Sequence, residues 1–231
     1  MNAYDLADIS RGRPTSTRNL NRSTNEQAAI AGTPSMAYYN QGWNAGTVQQ
    51  LDGQSSPVTG LRYNLKLQWL EVQDASVLGG IRVYPSGSLK SFTLVPAAGQ
   101  APHVFQEFKF SSTRAGSGRG FMEVLHHTGE VRLLVRHTFE EHSGETNLAL
   151  NTEIRPAQRL HVSALYVALV SKPDKATELK LDRRSVLRLF ERYANELDDY
   201  ATSKSLSYNN LDDVLKLVTY YNALLANPTA K

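Results

Sequence analysis

The nine residues LRYNLKLQW, 61 to 69, alternate without interruption: Leu61, Tyr63, Leu65, Leu67 and Trp69 fall on one side, and Arg62, Asn64, Lys66 and Gln68 on the other. An amphipathic helix would space its apolar residues by three and four, so the segment is restricted to a half-buried β-strand with a basic, amide-bearing outer face. Seven more strand patterns follow, at 81–84, 88–95, 104–110, 121–126, 131–138, 146–154 and 159–170. Turn signals separate several of them, PSG at 85–87, TG at 128–129 and HSG at 142–144. Short turns join antiparallel neighbours, whereas parallel strands need long crossovers, so these eight strands predict an antiparallel sandwich or barrel. The run HVSALYVALV is apolar on both faces and belongs in a central strand.

After Lys172-Pro173-Asp174 the period lengthens. Asp182 reads as an N-cap with Leu181 and Val186 as a hydrophobic staple, and Val186, Phe190, Tyr193, Leu197 and Tyr200 or Ala201 predict a helix over 183–202. Val214, Leu215, Val218, Tyr221 and Leu225 predict a second helix, begun after Asn209-Asn210 and ended by Asn227-Pro228. Strands followed by helices give an α+β class. Residues 1–58, rich in Ser, Thr, Asn, Gln and Gly, read as an irregular arm with Arg11, Arg13, Arg18 and Arg22 near its start, and with Tyr38, Tyr39 and Trp43 placed to dock on the body. The expected division is an arm at 1–58, a β-rich domain with its closing helix at 59–204, and a C-terminal helix at 205–231 suited to oligomerisation.

Catalytic signatures are sparse. The chain has no cysteine, which excludes disulfide scaffolds, thiol catalysts and iron–sulfur sites. It has no apolar run of membrane-spanning length and no signal-peptide core, which points to a cytoplasmic protein without a membrane partner. All six histidines lie between 103 and 161, but His126 and His127 are adjacent and face opposite sides of a strand. HTFEEH at 137–142 spaces its histidines by five, about 140° apart on a helix, so it is not a zinc-protease motif. The glycines of AGSGRGF lead into a strand and read as a hairpin loop. Glu140-Glu141 and Asp198-Asp199 read as solvated charge, and RGRP at 11–14 is a short match to minor-groove-binding segments. No cofactor and no enzymatic activity are expected. An enzyme would instead show a convergent polar pocket around His126, His137 or His142.

Charge distribution favours a nucleic-acid partner. The chain as a whole carries +3, but between 62 and 136 nine basic residues stand against five acidic ones, a local +4. Interleaved aromatics, Tyr63, Trp69, Tyr84, Phe92, Phe105, Phe108, Phe110 and Phe121, suit single strands, where cations take phosphates and rings stack on bases. Arg62, Lys66, Arg82, Lys90, Lys109, Arg132 and Arg136 are the expected phosphate contacts. Arg114 and Arg119 would act from a mobile loop, and Tyr84 or Phe92 would stack. The expected ligand is single-stranded RNA, with single-stranded DNA as an alternative. A second alternative is a virion or other structural assembly protein.

Three segments resemble the Whirly family. GSLKSFTLVPAAGQAPHVFQEFKF at 87–110 is similar to its F-A-P-A-x-G and K-Q-x-F stretch, FMEVLHHTGEVRLLVRH at 121–137 to its C-E-F-F-H-D strand, and ELKLDRRSVLRLFERYANEL at 178–197 to its closing strand and helix. The likeness spans about 60–200. NLKLQW at 64–69 stands where the family has K-G-K-A-A-L, and the glycine-rich 111–120 stands where it has a helix between halves. The resemblance implies a Whirly-like fold, oligomers, and binding of single-stranded nucleic acid along sheet edges. The short form with an arm and a last helix is most similar to the RNA-binding members of nucleus-forming jumbo phages, which implies messenger RNA and an infected bacterial cytoplasm.

Overall fold

The computed structural model describes residues 17–96, 100–112, 116–126, 129–147 and 152–226. Its strands are β1 (Asn44–Gln49), β2 (Ser55–Asn64), β3 (Trp69–Gln73), β4 (Ile81–Pro85), β5 (Ser91–Val95), β6 (His103–Ser112), β7 (Gly116–His126), β8 (Val131–His142), β9 (Glu145–Asn147), β10 (Thr152–Arg155), β11 (Gln158–Leu169) and β12 (Lys175–Glu178). The helices are α1 (Thr17–Ala31), α2 (Arg183–Leu189), α3 (Ala194–Ser203) and α4 (Leu211–Ala226). Ten strands form one sheet in the order β12-β11-β8-β7-β6-β5-β1-β2-β3-β4, and β9 and β10 pair separately. The class is therefore α+β with a large antiparallel sheet and C-terminal helices, built on ten main strands rather than about eight.

The sheet turns on β6. One edge of β6 pairs with β7, while the other is divided: His103 to Gln106 face β5, and Lys109 to Ser111 face β12 in the one parallel pairing among the described strands. The pairings β6–β7–β8–β11–β12–β6 close a five-stranded barrel filled by Phe108, Phe110, Met122, Leu134, Tyr166, Ala168 and Ala176. The remaining strands curl away from β6 over a second core of Tyr63, Phe92, Phe105, Phe121 and Phe139. The β2–β3 turn meets β8 there, with Phe139 N–H donating to the Leu65 carbonyl at 3.3 Å and Gln68 Nε2 to the His137 carbonyl at 3.0 Å. Helices α2 to α4 cover the outer face of β8 and β11 through Val186, Phe190, Leu197, Val214 and Val218 against Val131, Leu133 and Val167. The two-sided apolarity of 161–170 thus has a cause: Tyr166 and Ala168 face the barrel and Val167 faces the helices.

Several expectations need correction. The alternating strand 61–69 is cut after Asn64, whose side-chain oxygen accepts from the Lys66 and Leu67 N–H groups at 3.2 and 3.0 Å and so builds a turn. Asn64 is buried rather than exposed, and Arg62 is mostly covered. The glycines at 116–120 are strand, not loop: a Cβ at Gly118 would lie 3.0 Å from Phe110, whose ring covers this glycine row inside the barrel. Residues 113–115 lie outside the described residues, as does the middle of the strand expected at 146–154. Within 1–58, α1 and β1 are regular, and β1 sits between β5 and β2. Gly46 hid that strand from its sequence pattern, because β5 comes so close that any Cβ there would meet the Thr93 carbonyl oxygen.

The expected docking of the arm's aromatics holds, with Tyr38 buried and Tyr39 packed against the second core. Asp182 caps α2 by accepting from Ser185 N–H at 2.8 Å. The single helix 183–202 is broken at Glu191, which adopts a left-handed φ of 42°. The ends of both termini, 1–16 with RGRP and 227–231 with Asn227-Pro228, lie outside the described residues. No described helix is long and apolar enough to cross a membrane.

Phe105, fully buried and stacked on Phe92 with centroids 4.8 Å apart, lies where the two halves share β6. Phe105→Ala is expected to lower unfolding free energy by about 3–5 kcal/mol in a urea titration. Val104→Ala, on the exposed side of the same strand, should stay within about 0.5 kcal/mol of wild type.

Candidate functional site

Most of the basic positions picked from the sequence already hold an acid. Arg62 Nε is 2.7 Å from Glu71, and its guanidinium lies between the Tyr38 and Trp43 rings, 4.2 Å from each centroid. Lys66 pairs with Glu141, Arg82 with Asp74 at 2.6 Å, Lys109 with Asp174 at 3.0 Å and Arg119 with Glu107 at 3.1 Å. Hydrogen bonds from Ser76, then Arg82, hold the Asp74 carboxyl down to about 2. Arg132 and Arg136 share the inward face of β8 with Leu134, and Arg136 stacks on Phe110 at 4.5 Å. Lys90 is exposed and has no ion pair among the described residues. Arg114 lies outside the described residues, as do Arg11, Arg13 and His127. Tyr84 is half-buried, and Phe92 is 1% exposed inside the second core, so its ring has no face left for a base. These positions do not converge on one exposed sheet face.

Two buried carboxylates organise the polar interior. Glu71 is fully covered and accepts from Arg62, from Asn64 Nδ2 at 2.9 Å, from Trp69 Nε1 at 2.9 Å and from the Tyr38 hydroxyl at 3.2 Å. Four donors around one carboxylate offset its desolvation, and burial followed by the Glu71 charge pushes the Tyr38 hydroxyl up to about 12. Glu123, on β7, accepts from His103 Nδ1 at 2.6 Å through one oxygen, and through the other from His137 Nε2 at 2.8 Å and the Tyr39 hydroxyl at 3.1 Å. Burial alone would raise the Glu123 carboxyl, but the hydrogen bonds from His137 and His103 outweigh it and hold the group below its ordinary value. His137 continues outward, its Nδ1 lying 3.0 Å from Ser163 Oγ on β11. His103 and His137 stand on different strands with no sequence pattern linking them, and their common acid and the Tyr39 ring bring them together. His142 stays at the surface beside Glu140. No three His, Asp or Glu among the described residues are arranged to hold a metal ion.

The densest cluster of exposed cations lies elsewhere. A groove of about 730 Å³ runs between the β6–β12 seam and α2, and Lys109, Lys172, Lys175 and Arg188 line it with the hydroxyls of Ser111 and Ser117. Glu178 and Glu191 are its acids. Lys109 brings its partner Asp174, but both side chains are more than half exposed, so water screens the pair and an incoming anion can displace the acid. Sequence reasoning found Lys109 and missed Lys172, Lys175 and Arg188, because they belong to a turn, a short strand and a helix that meet only when β12 docks on β6. Comparison of the chain with family models, curated proteins and solved structures gave no match.

Removing Arg62 would strand a fully buried carboxylate, so Arg62→Ala is expected to cost about 3–5 kcal/mol by urea denaturation. For Glu123 the folded-state carboxyl lies below its ordinary 4.5, so its stabilisation is complete above that value and is lost as pH falls through the lower folded one. Glu123→Gln cannot ionise. The gap in urea midpoint between wild type and Glu123→Gln should therefore narrow as pH falls below about 4.5, and equal gaps at neutral and acid pH would refute this.

Proposed function

We propose that the chain binds single-stranded nucleic acid, RNA in preference to DNA, with the phosphate backbone lying in the groove between β12 and α2. The observation that carries this reading is the convergence of Lys109, Lys172, Lys175 and Arg188 on one open groove. The sheet positions contribute less, since Arg62, Lys66, Arg82 and Arg119 are held by acids. Hydroxyls of Ser111, Ser117 and Thr177 stand beside the cations as partners for a ribose 2′-hydroxyl. With the large rings of the second core enclosed, binding is mainly to the backbone and tolerant of sequence. The resemblance to the Whirly family supports the same ligand class, a Whirly-like reading of the fold and a tendency to oligomerise.

Four cations on a single strand give a log–log salt dependence with a slope of about −3. Fluorescence anisotropy with labelled single-stranded RNA, single-stranded DNA and duplex should show binding at low salt that weakens along that slope, tightest for RNA. Lys172→Ala should flatten the slope by about 0.7, and Lys66→Ala should leave it unchanged. Absence of binding to all three probes at low salt would overturn the proposal.

A second reading, a structural assembly component, draws on β4, which pairs with β3 on one side and is the outer strand of the sheet order. An unpaired strand edge is a template for a neighbouring chain. Light scattering showing a concentration-dependent assembly that Val83→Pro abolishes would favour it.

A further inference from the structure

We propose that a second cleft, on the outer face of β7, β8 and β11, is a carboxylic-ester hydrolase site with Ser163 as nucleophile and His137 as its general base. His137 and Ser163 sit directly opposite each other in the β8–β11 ladder, which puts Oγ 3.0 Å from Nδ1. Glu123 fixes the other ring nitrogen at 2.8 Å. A carboxylate can only accept, so in the neutral ring His137 Nε2 carries the proton and Nδ1 presents its lone pair to the serine hydroxyl, the tautomer a general base needs. His103 holds the other Glu123 oxygen and the Tyr39 hydroxyl the same one as His137, so the acid is a positioning residue that is itself positioned.

The surroundings define the substrate class. The cleft is about 700 Å³, and Leu125, Leu165 and Leu181 give it an apolar wall fit for an acyl chain. Lys180 also lines it, is exposed, and has no ion pair among the described residues, so it is the cation available to a developing oxyanion. In the first step Ser163 Oγ bonds to the ester carbonyl carbon as its proton passes to His137 Nδ1. The ester C–O bond then breaks, and the leaving alcohol takes that proton. In the second step water gives a proton to Nδ1 and attacks the acyl-serine, and the serine oxygen takes that proton back as the carboxylic acid leaves. The cleft adjoins the cationic groove along β12, sharing Glu178 and Leu179 with it, but Ser163 and His137 line the cleft alone, so their substitution tests this proposal independently of nucleic-acid binding.

The test uses the full chain with p-nitrophenyl esters of increasing acyl length and a fluorophosphonate probe. Hydrolysis above the buffer rate, a probe adduct on Ser163, and a loss of at least about 100-fold in both Ser163→Ala and His137→Ala are expected, with circular dichroism matching wild type. Ser163→Cys adds a single thiol to a cysteine-free chain, and iodoacetamide should alkylate it faster than the thiol of the double variant Ser163→Cys with His137→Ala. A rate unaffected by Ser163→Ala, no adduct on Ser163, or equal alkylation of the introduced thiol with and without His137 would each overturn the proposal.

Discussion

Along β6 a single strand edge has to satisfy two partners, and the rest of the architecture follows from how it is divided. Backbone N–H and C=O groups buried in a sheet cannot go unpaired without a cost comparable to a lost hydrogen bond. Residues 103–106 meet that demand with β5, and 109–111 meet it with β12. The first pairing starts the curled N-terminal sheet, and the second closes the five-stranded barrel. Phe105 and Phe108, three residues apart on a pleated strand, point to opposite faces of β6 and so into different cores.

Each half is then locked by a carboxylate that has left water. Glu71 gathers donors from β2, β3 and the segment before β1, and Glu123 gathers them from β6, β8 and that same segment. Tyr38 and Tyr39 are neighbours in sequence yet serve different acids, so the stretch after α1 is pinned to both halves at once. Buried charge is costly unless fully partnered, which makes these networks sensitive to loss of any one donor. It also makes their outer ends well-defined: His137 reaches Ser163 in a fixed tautomer because the inner side of its ring is already committed.

Local pattern was enough for some of this and not for the rest. The strands at 81–84, 104–110, 131–138 and 159–170 and the Asp182 cap were legible because side-chain alternation and capping are short-range effects. β1 was illegible because Gly46 and its small neighbours answer to the proximity of Thr93, far along the chain. The turn at Asn64 hid within a perfect alternation, since an Asn that folds back on its own backbone looks like any other polar residue. The local +4 was real in composition, but Arg62, Arg82 and Arg119 meet acids that the pattern gave no means of pairing with them.

By itself the sequence determined the α+β class, the antiparallel strands, the helical C-terminus and the lack of any thiol chemistry, because these depend on residue type and spacing. Only the tertiary structure decided which charges meet acids and which gather together. Coulombic pairing depends on distance in space, and the closure of β12 on β6 brings Lys109, Lys172, Lys175 and Arg188 to one groove. The same folding sets Glu123, His137 and Ser163 in a line across three strands, residues distant in the chain joined by two hydrogen bonds.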